Sequence, residues 1–474
     1  HRHSRIGGTS DMTEPITDEI RVVSGSSSLG LGFHEDSLNR ALALKPHFIG
    51  CDGGSSDPGP TYLGRGLSSS PLSAIKRDLR LLVLGGQKNK IPLMIGSCGT
   101  AGGAPHLDRV FGALKEIVKE EKLNIKVALI HSEQDKEYLK EKYRAGKIHE
   151  LGNAPPFDED VIDRSERIVG CSGAEPFQKA IEMGADVILA GRASDTAIFA
   201  SFPTLNGFPA GPAWHAAKIL ECGAASVKQR KTPDCMFAWI RKDHFDVAPL
   251  DPDLACSPQS IASHSLYENN DPFEIKENSG TINLTKASYE AIDDRSVRVR
   301  GSQFIPAEQY TVKLEGAECA GFQAVTPGSI RDPYMIEVYD EWLERLKGKI
   351  KIRLDMIYGN AIKEGDDYSL NYKTYGRDGT MGPLEPIKAD DTHEYLMMFE
   401  VTAKTQKLAN DISEIYHHQA LHLPIPKWHG LISGVAFPYS PSYFERGAIY
   451  RFNIHHVVET LDPLEMFPIE LVEL

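Results

Sequence analysis

Positive charge is scarce in this chain. Its 474 residues carry 52 lysines and arginines against 66 aspartates and glutamates, a formal net charge of -14. A field of that sign opposes broad binding to nucleic acid or to an anionic membrane surface, so neither is expected as a partner. Long apolar runs are missing too: nothing approaches the roughly 18 apolar residues of a membrane-spanning helix. The seven cysteines (Cys51, Cys98, Cys171, Cys222, Cys235, Cys256 and Cys319) are scattered, odd in number and form no Cys-x-x-Cys pair. That pattern speaks against a disulfide framework or a structural zinc site and for free thiols in a reducing compartment, the cytoplasm. There is no P-loop, no correctly spaced Gly-x-Gly-x-x-Gly, no Gly-x-Ser-x-Gly elbow and no His-Glu-x-x-His, so the usual signatures of nucleotide binding, serine hydrolysis and zinc proteolysis are lacking. Residues 1–12 read as a tag and linker remnant without an apolar signal core.

What is present is an alternation. Short β-branched or apolar runs, "EIRVVSG", "HFIGCDGG", "IPLMIGSCG", "NIKVALIHSE" and "ADVILAG", alternate with amphipathic segments such as "LDRVFGALKEIVKEEKL". Nearly continuous apolar strands separated by helices predict an α/β fold with a doubly wound, mainly parallel sheet over residues 13–230. The rhythm changes after that. Residues 231–345 read as a mixed β insert. Residues 346–474 read as a small C-terminal α+β layer of ferredoxin-like type, with a strand expected at "KIRLDMIY" (351–358). At roughly 150 residues per domain, two or three domains are expected.

The predicted parallel strands end in loops of unusual composition: "SGSSSLGLGFHED", "CDGGSSDPGPTYLG", "GSCGTAGGAPHLD", "HSEQD" and "AGRASDTA". In a parallel sheet, ligands bind beyond the carboxyl ends of the strands. Glycine and aspartate also serve ordinary turns and caps, but five such loops at one end predict a ligand cleft. The expected catalytic side chains are Asp52, Asp57, Cys98, His106 and Asp195. The expected substrate contacts are Ser55, Ser56, Gly99, Gly102, Gly103, Arg192 and Ser194. A second polar group, with Arg377, Asp390, Asp391, His393, His417, His418, His422 and His429, lies further along. Arg377 is the member expected to bind substrate. His418 and His422 stand four apart, a spacing that one helix face brings together.

Four segments, "GSCGTAGGAPHLDRVFGAL", "ILAGRASDTAIFASFP", "YGRDGTMGPLEP" and "AFPYSPSYFERGAIYRFNIHHVV", together resemble the acyclic terpene utilisation AtuA family. The matching positions include Gly102, Gly103, Ala104, Pro105 and His106, then Gly191, Arg192, Asp195 and Pro203. The likeness runs from about residue 20 to 470. It implies a cytoplasmic metabolic protein of acyclic terpenoid breakdown and does not by itself specify a reaction.

The residues themselves suggest a lyase that adds or removes water next to a carbonyl in a small carboxylic acid or its derivative. Such chemistry needs a base for the α-proton, an acid for the leaving hydroxyl and donors for the developing enolate. Asp52 or Asp57 is expected as base, His106 as acid, Arg192 as carboxylate anchor and the 99–103 backbone as enolate cradle. A divalent metal at Asp52, Asp57 or Asp195 is compatible but not demanded. The alternatives are a hydrolase using Cys98 or a metal-bound water, and a non-catalytic ligand-binding subunit beside a small partner protein. A homo-oligomer is expected.

Overall fold

The structure, a computed structural model, describes residues 14–388, 391–427 and 434–474. The expected tag segment, Asp390 and His429 lie outside the described residues. The described residues form two compact units: those within 14–318 together with 452–474, and those within 319–451.

The first unit is built on a ten-stranded sheet. Its middle is parallel, with Ile20–Ser24, Phe48–Asp52, Leu93–Gly96, Val187–Ala190 and Lys126–Ile130 side by side in that order. Successive side chains of a strand point to opposite faces. Accordingly Val22, Phe48, Met94, Ile188 and Ala128 enter one core, whereas Val23, Ile49, Ile95, Leu189 and Val127 enter the other. Helices Leu72–Asn89 and Ala104–Glu121 contribute to the second core, and helices Asp195–Leu205 and Ala210–Leu220 to the first. Both faces are therefore covered, which is why these strands read as unbroken apolar runs.

Beyond residue 230 the next strands join the main sheet. Met236–Ile240, His244–Pro249, Val297–Arg300 and Ser288–Ala291 extend the same sheet antiparallel from its first strand. On the opposite edge Ile469–Glu473 pairs antiparallel with Lys126–Ile130. Glu274–Glu277, Gly280–Asn283 and Gln303–Pro306 form a small three-stranded sheet.

The second unit runs strand, helix, strand, strand, helix, strand. Its strands are the later part of Thr311–Ile330, Tyr368–Tyr375, Tyr395–Ala403 and the start of Phe444–Glu459, with helices Tyr339–Tyr358 and Gln406–His422 between them. The sheet order places the second strand beside the third, then the first, then the fourth. That is the ferredoxin-like arrangement. The strand expected at 351–358 is instead the C-terminal half of a helix. Ile350 and Leu354 are buried four residues apart, while Ile352, Met356 and Ile357 stay exposed. Exposed apolar residues produced the false alternation. The strand that follows is Tyr368–Tyr375.

Candidate active site

Asp52 is the last residue of its strand and is 8% exposed. The Gly54 N–H donates to its Oδ1 at 3.1 Å. Gly54 has φ +142°, and a Cβ there would stand 2.5 Å from the Thr100 Cα, so this turn requires glycine. Two residues on, the Ser56 hydroxyl donates to Glu315.

The neighbouring loop, after Leu93–Gly96, is strained. Ser97 has φ 47° and Thr100, a β-branched residue, φ 94°. Such conformations each cost about 1–3 kcal/mol and persist where the surroundings over-determine them. Here the surroundings are the third strand-end loop. Ser97 Oγ accepts from the Ala193 N–H at 3.1 Å and donates to the Ala193 carbonyl at 3.1 Å. It also accepts from Arg192 Nη1 at 3.1 Å.

Arg192 stands two residues past Val187–Ala190. Its Nε donates to Glu315 Oε1 at 2.7 Å, and its Nη1 lies 3.9 Å from Asp195 Oδ1. Glu315 reaches this place from Thr311–Ile330 and is 5% exposed. Burial alone would raise its pKa, but Arg192, Lys313 and the Ser56 hydroxyl bring it down to about 2. Arg192 is therefore held charged and paired.

Asp195 begins the helix Asp195–Leu205, and its carboxyl is hydrogen-bonded to that of Asp52. Its Oδ1 is buried and meets no amide or hydroxyl donor. A protonated Asp52 carboxyl would supply such a donor. Burial and then the charge of Asp195 push Asp52 well above the usual carboxylate range. Burial raises Asp195 to about 7, Arg192 opposing and Glu221 reinforcing. Two like charges this close do not both ionise readily, so the pair retains a proton into the neutral range.

A third carboxyl lies alongside. Ser194 Oγ caps the same helix through the Ala197 N–H at 3.3 Å and donates to Glu277 Oε2 at 2.7 Å. Burial raises Glu277 to about 7, with Ser194 opposing and Glu221 reinforcing. Thr196 donates to Glu221 at 2.6 Å, and Glu221 is paired with Lys218 at 2.6 Å. A cavity of about 500 Å³ opens beside Ser194, with Cys171, Lys276, Glu277, Asn278 and Lys313 on its walls.

The structure thus brings Asp52, Ser56, Arg192, Ser194 and Asp195 together and adds Glu315, Glu277, Glu221 and Lys218. Asp57 is exposed, its N–H donating to Ser55 Oγ at 3.2 Å in a turn. Cys98 is fully buried with its thiol pushed up by burial, which leaves no accessible thiolate. His106 is buried too: Nδ1 accepts from the Gly103 N–H at 3.0 Å, and Nε2–H donates to the Tyr62 carbonyl at 2.7 Å. With both nitrogens engaged and burial lowering its pKa, His106 fastens two loops and has no proton to offer a ligand. The 99–103 glycines serve backbone packing. A Cβ would stand 2.5 Å from the His106 carbonyl at Gly99, 2.1 Å from the Arg192 nitrogen at Gly102 and 2.5 Å from Arg167 Cδ at Gly103. Arg377 belongs to the second unit, where it pairs with Asp340 and lies over the Tyr339 ring. Among the described residues no three His, Cys, Asp or Glu side chains converge as a metal cluster would. All seven cysteines are free.

Residues 99–225 match the sequence model of the family described as acyclic terpene utilisation family protein AtuA. The AtuA match covers Arg192, Ser194, Asp195 and Glu221; Asp52, Glu277 and Glu315 lie outside it. No curated protein and no solved structure matches the chain. None of the helices among the described residues is long and apolar enough to cross a membrane.

Proposed function

We propose that the chain is a cytoplasmic enzyme of acyclic terpenoid metabolism, a hydro-lyase that moves a proton and a hydroxyl at adjacent carbons of a small carboxylic acid or its derivative. The observation that carries this reading is the pairing of the Asp52 and Asp195 carboxyls between two strand-end loops. In its singly protonated form the pair offers an ionised oxygen to take the proton next to a carbonyl. Glu277, which titrates near neutrality beside the cavity, gives a proton to the departing hydroxyl, which leaves as water. The electrons of the C–H bond become the new C=C bond, so the step balances without a further reactant. Matched acid and base groups near the working pH are what such transfers need.

Arg192 has a different role from the one its sequence position suggests. Glu315 already occupies its Nε, so it orients the pair and keeps Asp195 from rising further. Lys276 and Lys313, on the cavity wall, are the cations available to an anionic substrate. The family description supports the acyclic terpenoid class. Cys98 carries no hydrolytic reading, because its thiol is inaccessible.

The test is incubation in D2O with a panel of branched, unsaturated acyclic carboxylic acids and their thioesters, read by mass spectrometry. Wild type should incorporate deuterium next to the carbonyl or add water in at least one member. Asp52→Asn and Asp195→Asn should lose about 10²–10⁴-fold in that rate while staying folded. Saturable binding without any exchange would instead support a ligand-binding subunit, and variants as active as wild type would overturn the assignment of the pair.

A further inference from the structure

A second cavity, of about 720 Å³, lies in the first unit and is chemically unlike the first. It is walled by Lys228, Arg230, Ser257, Ser263, His264 and Tyr267, among others. In a protein with net charge -14, this is a local concentration of donors. Arg230 uses its Nε on the Ala225 carbonyl at 2.7 Å, which leaves both terminal nitrogens. The ion pair of this loop belongs to Lys231, with Asp253 at 3.6 Å. Neither Lys228 nor Arg230 has an ion-pair partner among the described residues. Ser257 Oγ accepts from the Ser260 N–H at 3.0 Å, so its own proton is available to donate.

His264 is the observation that points to a ligand. It is 4% exposed, it lines the cavity, and neither Nδ1 nor Nε2 has a hydrogen-bond partner. Buried ring nitrogens are nearly always satisfied, so an unsatisfied pair beside a cavity calls for an explanation. Burial, reinforced by Lys218 and Arg230, lowers His264 to about 4. It is therefore neutral near pH 7 and presents one N–H donor. Its ring stacks on Tyr267, with centroids 5.5 Å apart and planes 13° apart. Tyr267 is 42% exposed and offers a flat apolar face. One carboxylate, Glu268, acts on the Tyr267 hydroxyl.

We infer that this cavity binds a small organic phosphate, its phosphate held by Lys228, Arg230 and the His264 N–H, and its organic part lying against Tyr267. Two cations and several neutral donors suit an anion with three terminal oxygens, where one planar carboxylate would leave donors unmet. The volume exceeds that of a phosphate alone, and Val227 and Leu266 add apolar wall.

Calorimetry with phenyl phosphate tests this on the full chain. Saturable binding is expected, tighter than that of phenol or inorganic phosphate, with inorganic phosphate competing. The double substitution Lys228→Met, Arg230→Met keeps the aliphatic stems on an exposed loop and should weaken binding at least tenfold, with an unchanged melting temperature. His264→Phe should weaken it as well, and the His264 ring resonances of wild type should shift on saturation. No saturable binding by wild type, or equal binding by the double variant, overturns the proposal. None of these readouts depends on the acid–base reaction proposed for the other cavity.

Discussion

The Asp195 network and the cavity beside His264 handle positive charge in opposite ways. Around Asp195 both cations of the network are paired: Arg192 with Glu315, touching Ser97 as well, and Lys218 with Glu221. Around His264 the cations Lys228 and Arg230 have no ion-pair partner among the described residues, and neither His264 ring nitrogen is engaged. The comparison teaches that a cation's position in sequence says little about its availability. Arg192 follows a parallel strand, where substrate anchors are expected, yet its charge maintains the protein's own carboxyls. Lys228 and Arg230 sit in a polar loop away from the parallel strand ends, "VKQRKTPD", yet neither is spent on an ion pair.

The sharpest way to break the contrast is to remove each cation and measure stability. Arg192→Met leaves Glu315 buried and uncompensated, and should destabilise by about 3–5 kcal/mol in denaturant unfolding. Lys228→Met with Arg230→Met should stay within about 0.5 kcal/mol of wild type. Equal losses in the two variants would mean that the open cations are structural as well.

A smaller effect comes from pH. Asp195 is raised from 3.8 to about 7 in the folded state. Between those values the folded chain binds a proton that the unfolded chain has released. The stabilising contribution is therefore whole below the unfolded value and is lost as pH rises through 7. Asp195→Asn lacks this loss. Across that interval its melting temperature should gain on wild type by a few degrees, and parallel melting curves of the two proteins against pH would refute the shared proton.

Smallest of all is the effect at Asp57, whose neighbour along the loop, Asp52, is the buried one. Asp57→Asn should leave both turnover and stability within error of wild type, stability moving by no more than about 0.5 kcal/mol. A large loss of turnover would move the base to the rim of the loop.

Much of the main sheet was legible because its strands are apolar on both faces and its helices are amphipathic, so burial wrote itself into the periodicity. The strand-end loops around Asp52, Arg192 and Asp195 were legible for the same reason. Glu315 was not. It alternates with Val312 and Leu314 on a strand, as Lys313 does, and a charge in such an alternation reads as a solvent-facing side chain. Its burial comes from a loop 123 residues away in sequence. Glu277 was hidden likewise on the short strand "EIKE". His106 and Cys98 misled in the other direction. A buried cap and a buried thiol use the same residue types as an acid and a nucleophile, and only their neighbours distinguish them. The misread helix after residue 350 has the same origin, since Ile352 and Met356 are apolar without being buried.

The pairing of Ile469–Glu473 with Lys126–Ile130 sets an order of events during synthesis. The edge of the main sheet at Lys126–Ile130 waits for a partner made more than 300 residues later, after the whole of residues 319–451 has been translated. Residues 319–451 are contiguous in sequence, so contacts among them can form while that edge is still bare. An unpaired strand beside a long apolar sheet is a template for wrong pairing. Shortening Ile469–Glu473 would leave the Lys126–Ile130 edge without its partner in the finished chain as well.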